Sequence, residues 1–384
     1  MWSRTDRGQE IRVRVSIHHS NGLSSVTTLG SGQAEGVELL NGPVVVKLPA
    51  LVDAPKALVS VAVPVYNNAN TIEPCITSLV TQDYPGVEVI VVDDGSQDKT
   101  AALVERLAVK YSNVRLIHSG HHGPSYARNL GIRESKGEIV LFADADAVYS
   151  KDYLSKGVAA LLKDEQTGAV CVTGTIWIKK STFVSRGIAL EYEMKQRFLK
   201  SGKWKPYFAF LYRREALELV GGFDEALFQS EDKDLFERVK ASGYSVGLVD
   251  GFNWVHLYPQ DVRTLVLRGY RGGKQRVVYL VKKRQYAELV KRTAGLFALI
   301  LAVALSFFSP TVQLLLITVL AITYAYRLRQ VMSNAHGKGR ITDKLLLPAV
   351  SAIRYFSTAI GYIKGSLVYA ARALRGLPIS WSDL

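Results

Sequence analysis

The sequence predicts an α/β domain followed by apolar helices of the membrane type, and two observations carry this prediction. Between residues 58 and 143, four short aliphatic runs alternate with three segments whose apolar residues recur at helical spacing. Between residues 293 and 326, no charged residue occurs at all. The chain has 384 residues, more than one ordinary domain of roughly 100 to 200 residues. We therefore expect a main domain with attachments.

Composition narrows the class of protein. With 48% apolar and 21% charged residues, the chain can bury a sizeable core and is not a disordered chain. The net charge of +14 favours an anionic partner, which could be nucleic acid, a membrane surface or a phosphorylated substrate. Cys75 and Cys171 are the only cysteines, so neither a disulfide framework nor a cysteine metal cluster is expected. Charges in the first ten residues argue against a cleaved export leader.

The α/β unit is expected at residues 56–260, after an N-terminal extension at 1–55 that has short alternating, strand-like stretches. The aliphatic runs predict strands at 58–65, 87–92, 114–118 and 138–143, and the helical spacing predicts helices at 71–82, 100–111 and 124–135. This alternation indicates right-handed βαβ units in a sheet that is buried on both faces. Ligands of such sheets bind beyond the carboxyl ends of the strands.

The uncharged stretch at 293–326 predicts a transmembrane helical hairpin. As one helix it would be about 51 Å long, whereas the hydrocarbon core of a membrane is about 30 Å thick. Ser309–Pro310 lies at its midpoint and divides it into two spans of about 24 Å each. These spans are short, so the flanking Lys291, Arg292 and Arg327 would have to complete them. A buried hairpin in a soluble core is the alternative.

Basic residues flank the hairpin on both sides. Residues 261–292 are expected to form a basic juxtamembrane helix; from Arg263 to Arg292 there are ten Lys or Arg residues, and Glu288 is the single acidic residue. Basic residues also begin the segment 327–384, so both ends of the hairpin and the catalytic domain should be cytoplasmic. Residues 345–374 are apolar with three basic residues, which fits either an interfacial amphipathic helix or a third span. The basic segment favours membrane lipids over nucleic acid as its partner.

Two pairs of carboxylates follow predicted strands. Asp93 and Asp94 end the second strand, and Asp144 and Asp146 follow the fourth. Singly, each pair would most often be a helix cap or a turn. Two pairs on one edge of a sheet predict a divalent cation, magnesium or manganese, that bridges the oxygens of a diphosphate. No glycine-rich phosphate loop follows the first strand, which makes dinucleotide and P-loop sites poor alternatives.

Six short motifs follow one another between residues 58 and 260. They are Val63-Pro64-Val65-Tyr66-Asn67, Val91-Val92-Asp93-Asp94-Gly95-Ser96, Ala127-Arg128-Asn129, Asp144-Ala145-Asp146, Gly221-Gly222-Phe223-Asp224-Glu225 and Glu231-Asp232. Taken together and in this order, these motifs resemble those of the family 2 glycosyltransferases, which have the GT-A fold, and they are specific as a set. The resemblance implies a Rossmann-like mixed sheet of the GT-A type, followed here by the membrane hairpin and the amphipathic helix.

The resemblance also implies roles for the donor side of the site. Asp94 matches the carboxylate that contacts the nucleotide base, and Asp93 would help to orient the same loop. Asp144 and Asp146 match the motif that binds the metal and the ribose diphosphate, with Asp146 as the more direct metal ligand. Three further residues match positions that line the nucleotide pocket, namely Pro64, Tyr66 and Asn67.

On the acceptor side, the resemblance implies that Asp232 is the catalytic base and that Glu231 beside it binds substrate. The alternative for this pair is a helix N-cap doublet. Arg128 is a candidate contact to the diphosphate or the base, with a surface arginine as the alternative. His256 resembles a position near the metal or the diphosphate, although a lone histidine is often structural. Four aromatic residues suggest an acceptor platform or a core strand: Trp204, Tyr207, Phe208 and Phe210.

The resulting hypothesis is a membrane-associated, inverting glycosyltransferase. It would move a sugar from a nucleoside diphosphate sugar to a hydroxyl group of a lipid-linked glycan. Transfer to a polyprenyl phosphate is the enzymatic alternative, and it would need little help from a base. A non-catalytic scaffold that binds nucleotide sugars is the second class, but all of the motif carboxylates are present. A nucleic-acid binder has little support from the site residues.

Overall fold

The computed structural model describes residues 57–177, 182–200, 210–256, 261–334 and 341–376. The predictions for residues 1–55 and for Trp204, Tyr207 and Phe208 lie outside these ranges.

The described residues form one mixed, eight-stranded sheet with the order β3-β2-β1-β4-β7-β6-β8-β5. Strands β1 to β4 are parallel, as predicted. Strand β7 is antiparallel to both β4 and β6, β8 is parallel to β6, and β5 is antiparallel to β8. The strands are β1 Val59–Val65, β2 Val87–Asp93, β3 Val114–His118, β4 Ile139–Phe142, β5 Ala147–Tyr149, β6 Thr167–Trp177, β7 Leu211–Arg213 and β8 Ser245–His256.

Seven helices of the α/β unit lie within the described residues. They are α1 Ile72–Val80, α2 Thr100–Lys110, α3 Pro124–Glu134, α4 Tyr153–Leu162, α5 Phe183–Lys200, α6 Arg214–Leu219 and α7 Glu231–Ala241. The predicted bounds of α1, α2 and α3 agree to within two residues, because apolar residues at helical spacing are buried against the sheet. The predicted α/β fold with a mixed sheet is confirmed.

The core places α3 and α7 at the carboxyl ends of the parallel strands. A Cβ atom on Gly131 of α3 would lie 2.7 Å from the Cβ atom of Ala62, so glycine allows α3 to lie directly on β1. At the end of β4, the ring of Phe142 packs edge-on against Phe223, with 4.8 Å between the ring centroids. Phe223 belongs to the loop that leads into α7. This contact therefore brings the start of α7 to the end of β4.

Four long helices follow the sheet: α8 Val262–Lys282, α9 Tyr286–Ser306, α10 Pro310–Asn334 and α11 Ile341–Leu374. The chain leaves the helical conformation between α9 and α10, next to the predicted break at Ser309–Pro310. Three segments are long and apolar enough to cross a membrane, namely Tyr286–Ser306, Pro310–Met332 and Lys344–Leu374.

Two predictions for this region need correction. The helices of the hairpin have 21 and 25 residues, longer than the predicted fifteen or sixteen, because the charged flanks continue each helix. The predicted basic helix at 261–292 is divided, since α8 ends at Lys282 and Arg284 adopts a positive φ of 54° before α9 begins.

Helices α8 and α11 are in backbone contact through glycines. A Cβ atom on Gly273 of α8 would lie 2.0 Å from the carbonyl oxygen of Thr358, and one on Gly361 of α11 would lie 2.1 Å from the carbonyl oxygen of Tyr270. Larger residues at these two positions would push the helices apart. One face of α11 is therefore buried on α8. Another packs on α5, where Val350 belongs to a buried cluster with Val184 and Ile188.

Candidate active site

The predicted base lies in the first turn of α7. Glu231 is buried and Asp232 is half-buried, and both follow Ser230, whose φ of 67° is left-handed. Burial raises the pKa of Asp232 to about 7; Arg128 opposes this change, while Glu231 and Asp144 add to it. Near neutral pH, this carboxyl group can therefore exchange a proton with a bound hydroxyl group.

Arg128 on α3 is the cation of the site. Its Nη1 donates a hydrogen bond of 3.0 Å to Oε1 of Glu231, and its guanidinium lies 5.4 Å from the ring centroid of Phe223. Burial alone would lower the pKa of Arg128, but three neighbouring carboxylates raise it above its ordinary value: Asp232, Glu231 and Asp144. The alternative of a surface arginine is therefore wrong, because only 9% of Arg128 is exposed.

Asp144 and Asp146 lie in the short loop between β4 and β5. The backbone N–H of Asp144 donates to the hydroxyl oxygen of Tyr149 at 2.7 Å, and Cys75 Sγ donates to the carbonyl oxygen of Asp144 at 3.4 Å. Burial raises the pKa of the Cys75 thiol, and the negative charges of Asp144 and Asp146 raise it further. The buried thiol thus stays protonated and fixes the loop. Asp144 acts electrostatically on both Arg128 and Asp232, so the two ends of the predicted site meet here.

The donor atoms at this loop suit a divalent cation. Among the described side chains, no group of three or more His, Cys, Asp or Glu residues could hold a metal ion. Magnesium, however, is commonly held by one or two carboxylates together with phosphate oxygens and water. Asp144 and Asp146 provide that number of carboxylates. The backbone of His256 pairs with Ala147, directly beside Asp146, but its side chain lies outside the described residues.

The second carboxylate pair joins β2 to the loop before α3. Asp94 is buried, and its Oδ1 accepts a hydrogen bond of 2.7 Å from the backbone N–H of His122, while its Oδ2 accepts one of 2.9 Å from that of Gly123. Asp93 Oδ1 accepts a hydrogen bond of 3.2 Å from the backbone N–H of Ser96 in the same loop, and its role in orienting that loop stays a prediction. Asp94 thus holds the loop before α3, and its contact with a nucleotide base stays a prediction.

The remaining predicted pocket residues lie at the same end of the sheet. Pro64 is part of β1 and pairs with Val92 of β2. Asn67 has a φ of 54°, and its Oδ1 accepts a hydrogen bond of 2.8 Å from the backbone N–H of Gln97. The exposed ring of Tyr66 stacks on His121, with 4.5 Å between the centroids.

His121 is a residue that the sequence reasoning missed. It lies in the run His121-His122-Gly123, directly after β3 at the carboxyl edge of the sheet. The polar residues that follow β3 give the same signal as the carboxylates that follow β2 and β4. Its stacking on Tyr66 makes it a candidate wall of the nucleotide pocket.

The two carboxylate pairs share one edge. Strand β1 lies between β2 and β4, and neighbouring strands are about 4.8 Å apart, so the ends of β2 and β4 are roughly 10 Å apart. That separation is comparable to the length of a nucleoside diphosphate. The edge thus combines a loop fixed by Asp94 with the cluster of Arg128, Asp144, Glu231 and Asp232.

Comparison with known proteins agrees with this geometry. A family model described as "Glycosyl transferase family 2" matches residues 60–221. Glycosyltransferase AglE of Haloferax volcanii is 33% identical over 198 residues, which are 49% of this chain and 63% of that protein. The probable glycosyltransferase YdaM of Bacillus subtilis is 31% identical over 201 residues, which are 49% of this chain and 48% of that protein. The chain spans about half to two thirds of the length of these relatives.

A solved structure extends the similarity of fold. The mannosyltransferase PcManGT from Pyrobaculum calidifontis, in complex with GDP-Man and Mn²⁺, has a TM-score of 0.50 and 23% identity. The similarity covers 84% of this chain and 88% of that protein. At this level of identity it shows the fold, which is that of a GT-A glycosyltransferase. Residues 60–221 of this chain are thus similar to the domain of the family 2 glycosyltransferases.

Proposed function

We propose that the protein is a membrane-associated, inverting glycosyltransferase that moves a sugar from a nucleoside diphosphate sugar to a hydroxyl group of a lipid-linked glycan. The observation that carries this proposal is the cluster formed by Arg128, Asp144, Glu231 and Asp232 at the carboxyl edge of the sheet. Such a displacement needs a carboxylate that takes the proton of the acceptor and a positive charge that stabilises the leaving diphosphate, and this cluster contains both.

Asp232 is the proposed base. In an inverting displacement, the acceptor oxygen attacks the anomeric carbon while a carboxylate takes its proton. A pKa of about 7 suits this step, because the group is both sufficiently ionised and sufficiently basic near neutral pH. Glu231 holds Arg128 in place beside Asp232 by their 3.0 Å hydrogen bond.

The donor's diphosphate is assigned to the edge between Asp144, Asp146 and Arg128. The positive charge of Arg128 would stabilise the negative charge that develops on the leaving diphosphate. Asp144 and Asp146 would hold a magnesium or manganese ion there, which would neutralise part of the same charge. The nucleotide base would lie toward Asp94, Tyr66 and His121.

The membrane location is proposed from the C-terminal helices. Three segments are long and apolar enough to cross a membrane, and α8 before them is strongly basic. Basic segments beside a span favour the cytoplasmic side and anionic lipids. We therefore assign the catalytic domain to the cytoplasmic face and a lipid-linked acceptor to the membrane. Nucleic acid is not a proposed partner.

The test is an incubation of membranes that contain the protein with a panel of labelled nucleoside diphosphate sugars, followed by lipid extraction. We expect label from one donor to enter the lipid fraction, and we expect chelation of divalent ions to stop the transfer. Asp232→Asn should abolish this label. Asp152→Asn is the matched control and should keep it, because Asp152 is a surface carboxylate paired with Lys156. Absence of lipid label with every donor, in membranes where the protein is folded, would contradict the proposed acceptor.

A further inference from the structure

Helix α8 is bound to the segment that carries the proposed base. Arg276 Nε donates a hydrogen bond of 3.2 Å to Oγ of Ser230, the residue directly before Glu231. Lys283, immediately after α8, places its Nζ 2.6 Å from Oδ1 of Asp234 in the first turn of α7. A third pair joins Lys282 to Asp224 in the preceding loop.

Ser230 shows why the first of these contacts matters. It is the N-cap residue of α7, and serine at that position ordinarily uses its hydroxyl group to cap its own helix. Here its φ of 67° is left-handed, which costs free energy for a residue other than glycine, and its side chain makes no cap bond. Its hydroxyl oxygen accepts from Arg276 of α8 instead. The backbone that aims Asp232 is thus held from outside α7.

The second contact extends into a buried network. Asp234 is 2% exposed, and its Oδ2 accepts a hydrogen bond of 2.8 Å from Arg238 Nε. Arg238 also donates to the carbonyl oxygens of Val220 at 2.6 Å and Gly222 at 2.7 Å. Lys283 completes this network, which joins α8 to α7 and to the turn at Gly221 and Gly222.

Apolar packing joins the same elements. Leu227 in the loop before α7 belongs to a buried cluster with Val277 and Leu280 of α8 and Tyr362 of α11. The carbonyl oxygen of Leu227 also accepts a hydrogen bond from Ser125 of α3, the helix that carries Arg128. The loop is therefore enclosed between α3 and the pair of helices α8 and α11.

We infer that Arg276 and Lys283 are positioning residues, through which α8 sets the orientation of the first turn of α7 for sugar transfer. Neither residue is placed at the reacting atoms; each acts through the backbone or side chains of α7. Since α8 directly precedes the first candidate membrane span, this arrangement joins the membrane-associated helices to the base. The inference rests on the proposed role of Asp232.

The test uses the full chain in membranes and compares Arg276→Gln, Lys283→Met and Ser230→Gly with the wild type. A displaced base lowers the rate of the chemical step more than donor affinity, so we expect kcat to fall by about tenfold or more, with the KM for the donor within about twofold. Lys283→Arg, which keeps the charge, should restore most of the rate. Arg106→Gln on α2 removes the same charge from an exposed position and should leave kcat unchanged.

Ser230→Gly distinguishes a positioning role from an effect on stability or on charge, because it removes the contact with Arg276 without changing any charged residue. Glycine accepts a positive φ without strain, so this variant should be as stable as the wild type, yet it loses the acceptor for Arg276. A fall in kcat without a fall in stability supports positioning. Wild-type kcat in all three variants would overturn the inference.

Hydrogen exchange keeps this test distinct from the proposed function. If the wild type transfers no sugar, the proposed function fails, and the amide exchange of residues 224–234 still decides whether α8 holds them. Faster exchange there in Arg276→Gln and Lys283→Met, with unchanged exchange in β1 and β2, supports the contact. Unchanged exchange at 224–234 contradicts it.

Discussion

Replacing Asp232 by asparagine should abolish sugar transfer and stabilise the fold at the same time. The amide keeps the shape of the side chain but can neither take a proton nor carry a charge. Removal of a general base lowers rates by about 10² to 10⁴-fold. Burial and the neighbouring Glu231 and Asp144 disfavour the charged form of Asp232. Removing this charge should therefore stabilise the folded state.

The sign and size of the stability effect follow from proton binding. The pKa of Asp232 is raised from 3.8 to about 7 in the fold, so between these values the folded chain binds a proton that the unfolded chain has lost. The stability of the wild type therefore falls as the pH rises through this window. The loss of stability is complete above about pH 7, where Asp232 is charged in both states. One pKa unit equals about 1.4 kcal/mol, which sets an upper bound of about 4 kcal/mol. Because Asp232 is half-buried, about 2 kcal/mol is the expected gain at pH 8.

Thermal unfolding of the purified protein in detergent with a chelator measures this effect. Asp232→Asn should unfold at a higher temperature than the wild type at pH 8, and the two should converge near pH 4. Asp152→Asn is the control, because hydrogen bonds from Lys156 and Ser150 lower the pKa of the exposed Asp152, and its loss should give no gain at pH 8. Equal stability of Asp232→Asn and wild type at pH 8 would refute the reasoning. Near-normal transfer by Asp232→Asn would instead favour a phosphate acceptor.

Three further substitutions test other parts of the site and fold. Asp146→Asn should lower transfer by at least about tenfold and raise the manganese concentration needed for half-maximal rate, as a metal titration would show. Asn129→Ala removes two hydrogen bonds to the backbone of Phe223, at 2.8 and 2.9 Å, and should lower the free energy of unfolding by about 2 kcal/mol in denaturant titrations. Gly273→Leu should separate α8 from Thr358 of α11 and reduce the yield of folded protein in detergent chromatography, whereas Ala352→Leu, which adds bulk at an exposed position of α11, should not. A folded Gly273→Leu protein in wild-type yield would contradict the observed backbone contact.

The first half of the sheet could be predicted from the sequence because its signals are local. The runs that form β1, β2, β3 and β4 are aliphatic throughout, and the intervening helices bury apolar residues at regular spacing. Since the carboxyl ends of parallel strands meet at one edge, the placement of Asp94 and Asp144 on that edge followed from the strand assignment alone.

The second half of the sheet could not be predicted in the same way. Strands Ala147–Tyr149 and Leu211–Arg213 have three residues each, too few to show a period of two. Their pairing is also distant in sequence, as in the pair Ala147 and His256. Only the resemblance to a known family indicated that the sheet would be mixed.

The burial of Arg128 and the partners of the charged side chains could likewise not be predicted from the sequence. Arg128 lies in a polar stretch of α3 that gives no sign of burial, and its partner Glu231 is 103 residues away. The hairpin helices are longer than the uncharged spans that the sequence predicts, because lysine and arginine are good helix formers and continue each helix. The contacts of α8 with Ser230 and Asp234 join segments whose sequences show no shared pattern.

Release of nucleoside diphosphate from a panel of donor sugars by the purified protein tests the catalytic role of this carboxylate edge most directly. It should be measured with and without divalent ions, in the wild type and in Asp144→Asn and Asp232→Asn. We predict ion-dependent release from one donor by the wild type and its loss in both variants. Release that persists in folded Asp144→Asn and Asp232→Asn protein, or no release by the wild type from any donor, would contradict the role assigned to this edge of the sheet.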